Sequence, residues 1–328
     1  MTILFLSLMA VFGWFIFSLA AGIKMYFISR PAVHPKYRTR PGEKDFSAGK
    51  PREKIKKGPA LETIPVVLHN GITIGGYYYP SADKNGGEYE NTAVFVVPAP
   101  GDSLPDLTGL LEEYHKRGIS VYVPDFAARA AERKSGTFPE MYTLSDKWQW
   151  YEHVFSEYKP ERVFFHTFSS SGQDTLELIS RNRFPLIKGF VADSPFFSYR
   201  KILDHYLRPV LYNRILRYSI ILGARIADYL FSGRHFSYSR ALRKLKRHQL
   251  PAVFLCPEKE ARILEKRTGK IKYSAAAQRS IKPSPRINRN GLKLDVQMIV
   301  IPEVMYSGCY EHSCAHMQEI EEFIRRSK

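Results

Sequence analysis

Between Ile3 and Ile23 the chain carries no charged residue, and Leu, Phe, Ile, Val and Ala dominate the stretch. A helix needs ~20 apolar residues to cross the hydrocarbon core of a bilayer, so the run is long enough for one span. The rival reading is a cleaved secretory leader, which starts with basic residues and carries an apolar core of ~7–15 residues. No Lys or Arg precedes this run, which favours a retained transmembrane helix over residues 1–29. Lys24, Arg30, Lys36, Arg38 and Arg40 follow it. Basic residues on that flank place the remainder of the chain on the cytoplasmic side. Tyr26 stands where an interfacial anchor would, whereas Trp14 is mid-run.

Residues 30–61 read as a linker. Pro31, Pro35, Pro41, Pro51 and Pro59 forbid a continuous helix there, and basic residues recur up to Lys54, Lys56 and Lys57. These charges either dock on anionic headgroups, at about 1 kcal/mol each near the surface, or belong to a solvated tether. The whole chain, at 328 residues, has 49 Lys and Arg against 32 Asp and Glu, a formal charge of +17. So basic a balance calls for an anionic neighbour. Aromatic residues are plentiful but form no nucleic-acid recognition signature. Anionic membrane lipid is therefore the expected partner, and nucleic acid is not. The cysteines, Cys256, Cys309 and Cys314, are too few for a disulfide framework and fit no zinc spacing. Neither metal nor cofactor is expected.

From residue 62 to 328 the pattern is that of one large domain. Ile64–Leu68 and Ile72–Tyr79 flank Asn70-Gly71, a hairpin signal. Ala93–Val97 is a continuous apolar run closed by Pro98, as in a strand covered on both faces. Helical spacing over Leu104–Arg117 stops at Gly118. Further strands are expected at Ile119–Val123, Arg162–Thr167, Lys188–Ala192, Pro251–Leu255 and Val296–Ile301. Helices are expected at Leu144–Tyr158, Gly172–Arg181 and His312–Arg326. Strands alternating with helices predict an α/β fold with a mainly parallel sheet and helices on both faces. In such sheets ligands bind beyond the carboxyl ends of the strands.

At one such end, the strand Val163–Thr167 runs through Phe168-Ser169-Ser170-Ser171-Gly172 into a helix. A strand, a tight turn of small residues and a helix make the setting of a nucleophile elbow. Small residues are needed two places either side of the nucleophile. Ser169 has Thr167 and Ser171 there, whereas Ser170 would have Phe168. Ser169 is thus the better register, beside helical N–H groups able to receive an oxyanion. The alternative is a serine-rich N-cap on an ordinary crossover helix.

Several stretches in this order resemble the α/β-hydrolase superfamily, most nearly its membrane-anchored serine hydrolases and dienelactone-hydrolase-like relatives. They are Gly76–Pro80, the strand into Pro98-Ala99-Pro100-Gly101, His115–Phe126, Ser169–Gly172, Phe190–Phe196 and Leu250–Leu255. The resemblance implies a Ser–His–acid triad and an acyl substrate. It places the acid at Glu260, after the strand that Pro251 opens, with Asp193 as an alternative acid. It places the base just after Val296–Ile301, where Tyr306 stands. A tyrosine, with a reference pKa of about 10, is a poor base at neutral pH. His312, six residues later, is the candidate that remains, with His316 on the helix beyond. His166 alternates within its strand and reads as buried. Oxyanion donors are expected at Ala99 and Ser170, although Pro98-Ala99 replaces the His-Gly usual there.

Residues 195–249 fall where this superfamily inserts a helical cap. Tyr218–Phe231 is apolar over most of a helical wheel, which fits either a lid admitting acyl chains or a helix packed on a core. Lys266–Arg289 is a basic excursion before the last strand. The expected activity is a membrane-anchored serine hydrolase of esterase, thioesterase or lipase type, acting on a small hydrophobic acyl substrate. The competing reading is a catalytically inactive relative that binds a lipid or protein partner in the same cleft.

Overall fold

A computed structural model describes residues 2–32, 61–82, 87–99, 104–126, 142–169, 171–181, 184–194, 204, 207, 211–232, 250–257, 272–273, 296–301 and 313–327. These divide into two compact units. One holds helices α1 (Thr2–Ala32) and α5 (Arg214–Ser232). The other holds every described strand and the remaining described helices. Among the described residues, no helix is long and apolar enough to cross a membrane. Side chains of α1 are described at Phe5, Met9 and residues 11–24, all but Lys24 within the charge-free run.

The α/β unit contains β1 (Glu62–Thr63), β2 (Val66–Val67), β3 (Thr73–Tyr79), β4 (Thr92–Val97), α2 (Leu104–Lys116), β5 (Ser120–Asp125) and α3 (Leu144–Tyr158). It continues with β6 (Arg162–Phe168), α4 (Ser171–Arg181), β7 (Ile187–Asp193), β8 (Ala252–Pro257), β9 (Lys272–Tyr273), β10 (Val296–Ile301) and α6 (Met317–Arg326). The sheet order is β1-β3-β5-β4-β6-β7-β8-β10-β9, with β2 paired to β3. Strand β3 runs antiparallel to β5, and β5 through β9 pair in parallel. The expected mainly parallel sheet with covering helices is therefore present.

Local chemistry explains the boundaries. The Asn70-Gly71 turn closes as a hairpin, with Gly71 at φ +76° and Val66 opposite Ile74. Helix α2 ends in a Schellman motif: Ile119 N–H reaches Tyr114 O at 3.1 Å and Gly118 N–H reaches His115 O at 2.9 Å. Gly118 sits at φ +72°, a conformation with no steric cost for a residue lacking Cβ. Helix α3 opens with a capping box between Thr143 and Asp146.

Two cores flank the sheet. On one face Leu107, Leu110 and Tyr114 of α2 and Ile320, Phe323 and Ile324 of α6 cover Val94, Val96, Phe164 and Val191. Arg117 ties these helices together, reaching Glu321 at 2.9 Å and Glu113 at 2.6 Å. The opposite face is aromatic. Phe95 stacks on Phe165 at 5.4 Å between ring centroids, and Tyr151 of α3 meets Phe165 edge-on at 5.2 Å. Any Cβ at Gly76 would run into the Trp150 indole.

Candidate active site

Strand β6 lies at the centre of the parallel sheet, with Val97 of β4 beside Thr167 and Asp193 of β7 beside Phe168. Where it ends, the chain bends sharply. Ser169 takes φ +54°, a left-handed conformation that is costly for a residue with a Cβ. Its N–H donates to Asp193 O at 3.0 Å, and the residue is half-buried. Two residues later α4 begins, its N-terminus carrying the positive end of the helix dipole. The bend expected at Ser169 is present, and its side chain is not entombed.

Hydroxyls fasten this bend at the two positions that flank Ser169 by two residues. Ser171 Oγ accepts the N–H of Phe168 at 3.1 Å. It lies 2.7 Å from Phe168 O and 3.0 Å from Val97 O, which share its proton. Thr167 turns its hydroxyl away to Val191 O at 3.2 Å. Each side chain is thus directed off the bend and into a backbone acceptor, so neither crowds it.

Asp193, wholly buried at the end of β7, accepts from Ser194 at 2.9 Å through Oδ1 and from Ser313 at 2.7 Å through Oδ2. Burial pushes its carboxyl up to about 7, although both hydroxyls favour the charged form. Ser313 Oγ also lies 3.1 Å from His166 Nε2, and Tyr114 OH lies 2.7 Å from His166 Nδ1. Donor counting orients the chain when Asp193 is ionised. Ser313 gives its one proton to Asp193, so His166 Nε2–H donates to Ser313 and Nδ1 accepts from Tyr114. Burial pushes His166 down to about 3, so it is neutral here. In a catalytic triad the imidazole stands between hydroxyl and carboxylate. Here the hydroxyl stands between imidazole and carboxylate, and all three groups are buried. The network fastens α2, β6, β7 and the start of the C-terminal segment to one another; it does not activate Ser313.

Of the residues singled out from sequence, Ser169 and Asp193 are joined through backbone at adjacent strand ends. Ala99 is half-buried after β4 and packs on the core beneath. Ser170, Glu260, Tyr306 and His312 lie outside the described residues. His316 is at the N-cap of α6 with Nδ1 3.4 Å from Glu319, and His166 is buried as read. The participation of Ser313 and Tyr114 was not foreseen. The signal available was His166 itself, since a histidine inside an apolar strand must find partners. Among the described residues, no cluster of His, Cys, Asp and Glu is arranged to hold a metal ion.

No family model matches the sequence, and no curated protein matches it. Solved structures do match by shape. An esterase from Pyrococcus furiosus aligns at a TM-score of 0.51 and 15% identity, over 82% of this chain and 91% of its own. An alpha-beta hydrolase from Vibrio vulnificus aligns at 0.51 and 14% identity, over 80% and 81%. The esterase domain of a Rhodothermus marinus protein aligns at 0.50 and 11% identity, over 82% and 99%. With the strand order and the bend at Ser169, these matches define the class: the chain has the α/β-hydrolase fold.

Proposed function

We propose that this chain is a membrane-anchored serine hydrolase that cleaves an ester, thioester or amide of a hydrophobic acyl group. The observation that carries this reading is the left-handed Ser169 between central strand and helix. Strain of this kind persists only where surrounding structure imposes it, and it gathers at functional positions. In the proposed reaction Ser169 Oγ attacks the acyl carbonyl carbon and its proton passes to the base, for which His312 is the candidate. The tetrahedral oxyanion is received by the N–H groups of Ala99 and Ser170. Collapse transfers the proton to the leaving group, and water then cleaves the acyl-enzyme by the same route. Glu260 or Asp193 is the acid that orients the base. The Asp193 alternative draws support from its position beside the bend.

The anchor reading rests on the charge-free run of Ile3–Ile23. As a helix it extends ~31 Å at ~1.5 Å per residue, matching a hydrocarbon core of ~30 Å. Basic residues on its C-terminal side favour a cytoplasmic catalytic domain.

A fluorophosphonate probe tests the enzyme. Label on the wild-type chain that disappears in Ser169→Ala supports it. Folded wild type that takes no label overturns it in favour of the inactive scaffold.

A further inference from the structure

Helices α1 and α5 meet backbone to backbone. A Cβ on Gly22 would stand 2.5 Å from Ala224 N and from Gly223 Cα, and one on Gly223 would stand 2.7 Å from Ser18 O. Only glycines permit that approach, which is the manner in which helices pair within bilayers. Ser18 is buried at the crossing, its Oγ without a partner among the described residues. Leu207, Ile220, Ile221 and Ala224 close the contact, with Ala21 and Ile23 against them.

Beyond the crossing the apolar surface is uncovered. Every residue of α1 from 11 to 17 is exposed, Phe12 and Phe17 at 60%. Seven consecutive helical residues face all directions, so one partner helix would cover only part of them. An apolar liquid phase covers them all. Helix α5 differs. It exposes Ile215 at 71%, and Leu222, seven residues later, shares that stripe at 48%. Arg214 and Arg225 are exposed beside it, and the Arg214 guanidinium lies 5.4 Å from the Tyr218 ring. A helix with apolar and aromatic side chains on one side and arginines on another suits the headgroup boundary of an anionic membrane.

We propose that α5 is a second membrane element: an interfacial helix held on α1 by the Gly22–Gly223 crossing, with its Ile215–Leu222 stripe at the acyl–headgroup boundary. This rests on the reading of α1 as the anchor and adds α5 to it.

The test uses the full chain in vesicles of phosphatidylcholine and phosphatidylserine. An environment-sensitive dye is attached at Phe12→Cys or Leu222→Cys, and the unsubstituted chain gives the background from native thiols. Nitroxide lipids labelled near the glycerol or near the chain end serve as quenchers. The expected result is shallow quenching at 222, deep quenching at 12, and loss of quenching at 222 in Gly223→Leu. Quenching at 12 with none at 222 overturns the proposal while leaving the anchor. No quenching at either site overturns both. Fluorophosphonate labelling of Ser169 in the same samples reads the hydrolase separately.

Discussion

Ser313 and Asp193 stand 120 residues apart in sequence, yet the hydroxyl of one donates to the carboxylate of the other at 2.7 Å inside the protein. Removing that hydroxyl leaves the Asp193 oxygen and the His166 Nε2–H without this partner in a dry interior. Ser313→Ala should therefore cost about 1–3 kcal/mol, measured by urea unfolding of the full chain in detergent. A cost below about 0.5 kcal/mol would show that water or another group replaces the hydroxyl.

The two titratable members of this network pull stability in opposite directions with pH. His166, lowered to about 3 by burial, binds fewer protons folded than unfolded up to about pH 6.5, so its contribution to stability rises with pH across that window. Asp193, raised to about 7 by burial, binds more protons folded than unfolded above about pH 4. Its contribution is complete below the unfolded value and is lost as pH climbs towards 7. Between about pH 4 and 6.5 the two slopes cancel. Relative to wild type, His166→Phe should then lose about 1.4 kcal/mol per pH unit across that range, and Asp193→Asn should gain about the same. Unfolding curves at half-unit pH steps check both signs; parallel curves for all three proteins would refute the pairing.

Ser169 holds a conformation that glycine adopts without penalty. Ser169→Gly should raise stability by about 1 kcal/mol while abolishing fluorophosphonate labelling. Ser169→Val, β-branched at a left-handed position, should lose both stability and label. A melting temperature for Ser169→Gly below that of wild type would mean that the bend is not strained.

Gly76 faces the Trp150 indole so closely that no side chain fits between β3 and α3. Gly76→Ala should cost about 1–3 kcal/mol by overpacking. Trp150→Leu added to it should recover part of that loss, giving a non-additive double-mutant cycle. Strict additivity would place the strain elsewhere.

Most of the architecture was legible because its signals are local. The strand Ala93–Val97 is a run of apolar residues bounded by Pro98, and the helix Leu144–Tyr158 announces itself by its periodicity. The bend at Ser169 was legible because small polar residues interrupt an apolar strand just before a helix. Phe168 argues against Ser170 as the register, and Ser169 takes the left-handed conformation at the end of the strand. The hydroxyl fastening by Ser171 was not legible, since it depends on the carbonyl of Val97, which belongs to a different strand. The partners of His166 were hidden for the same reason: Tyr114 and Ser313 lie 52 and 147 residues away. Nothing local marks either of them. The Gly22–Gly223 crossing has no local signal either, because it joins two helices about 200 residues apart and depends on the absence of a side chain at both positions.

The amide of Ser169 is already committed to the carbonyl of Asp193. The bend is therefore stitched to its neighbouring strand, and the aim of the serine hydroxyl inherits the stiffness of β7. Any change that slides β7 along the sheet would swing that hydroxyl with it, so residues well away from the bend can govern reactivity without touching an acyl group.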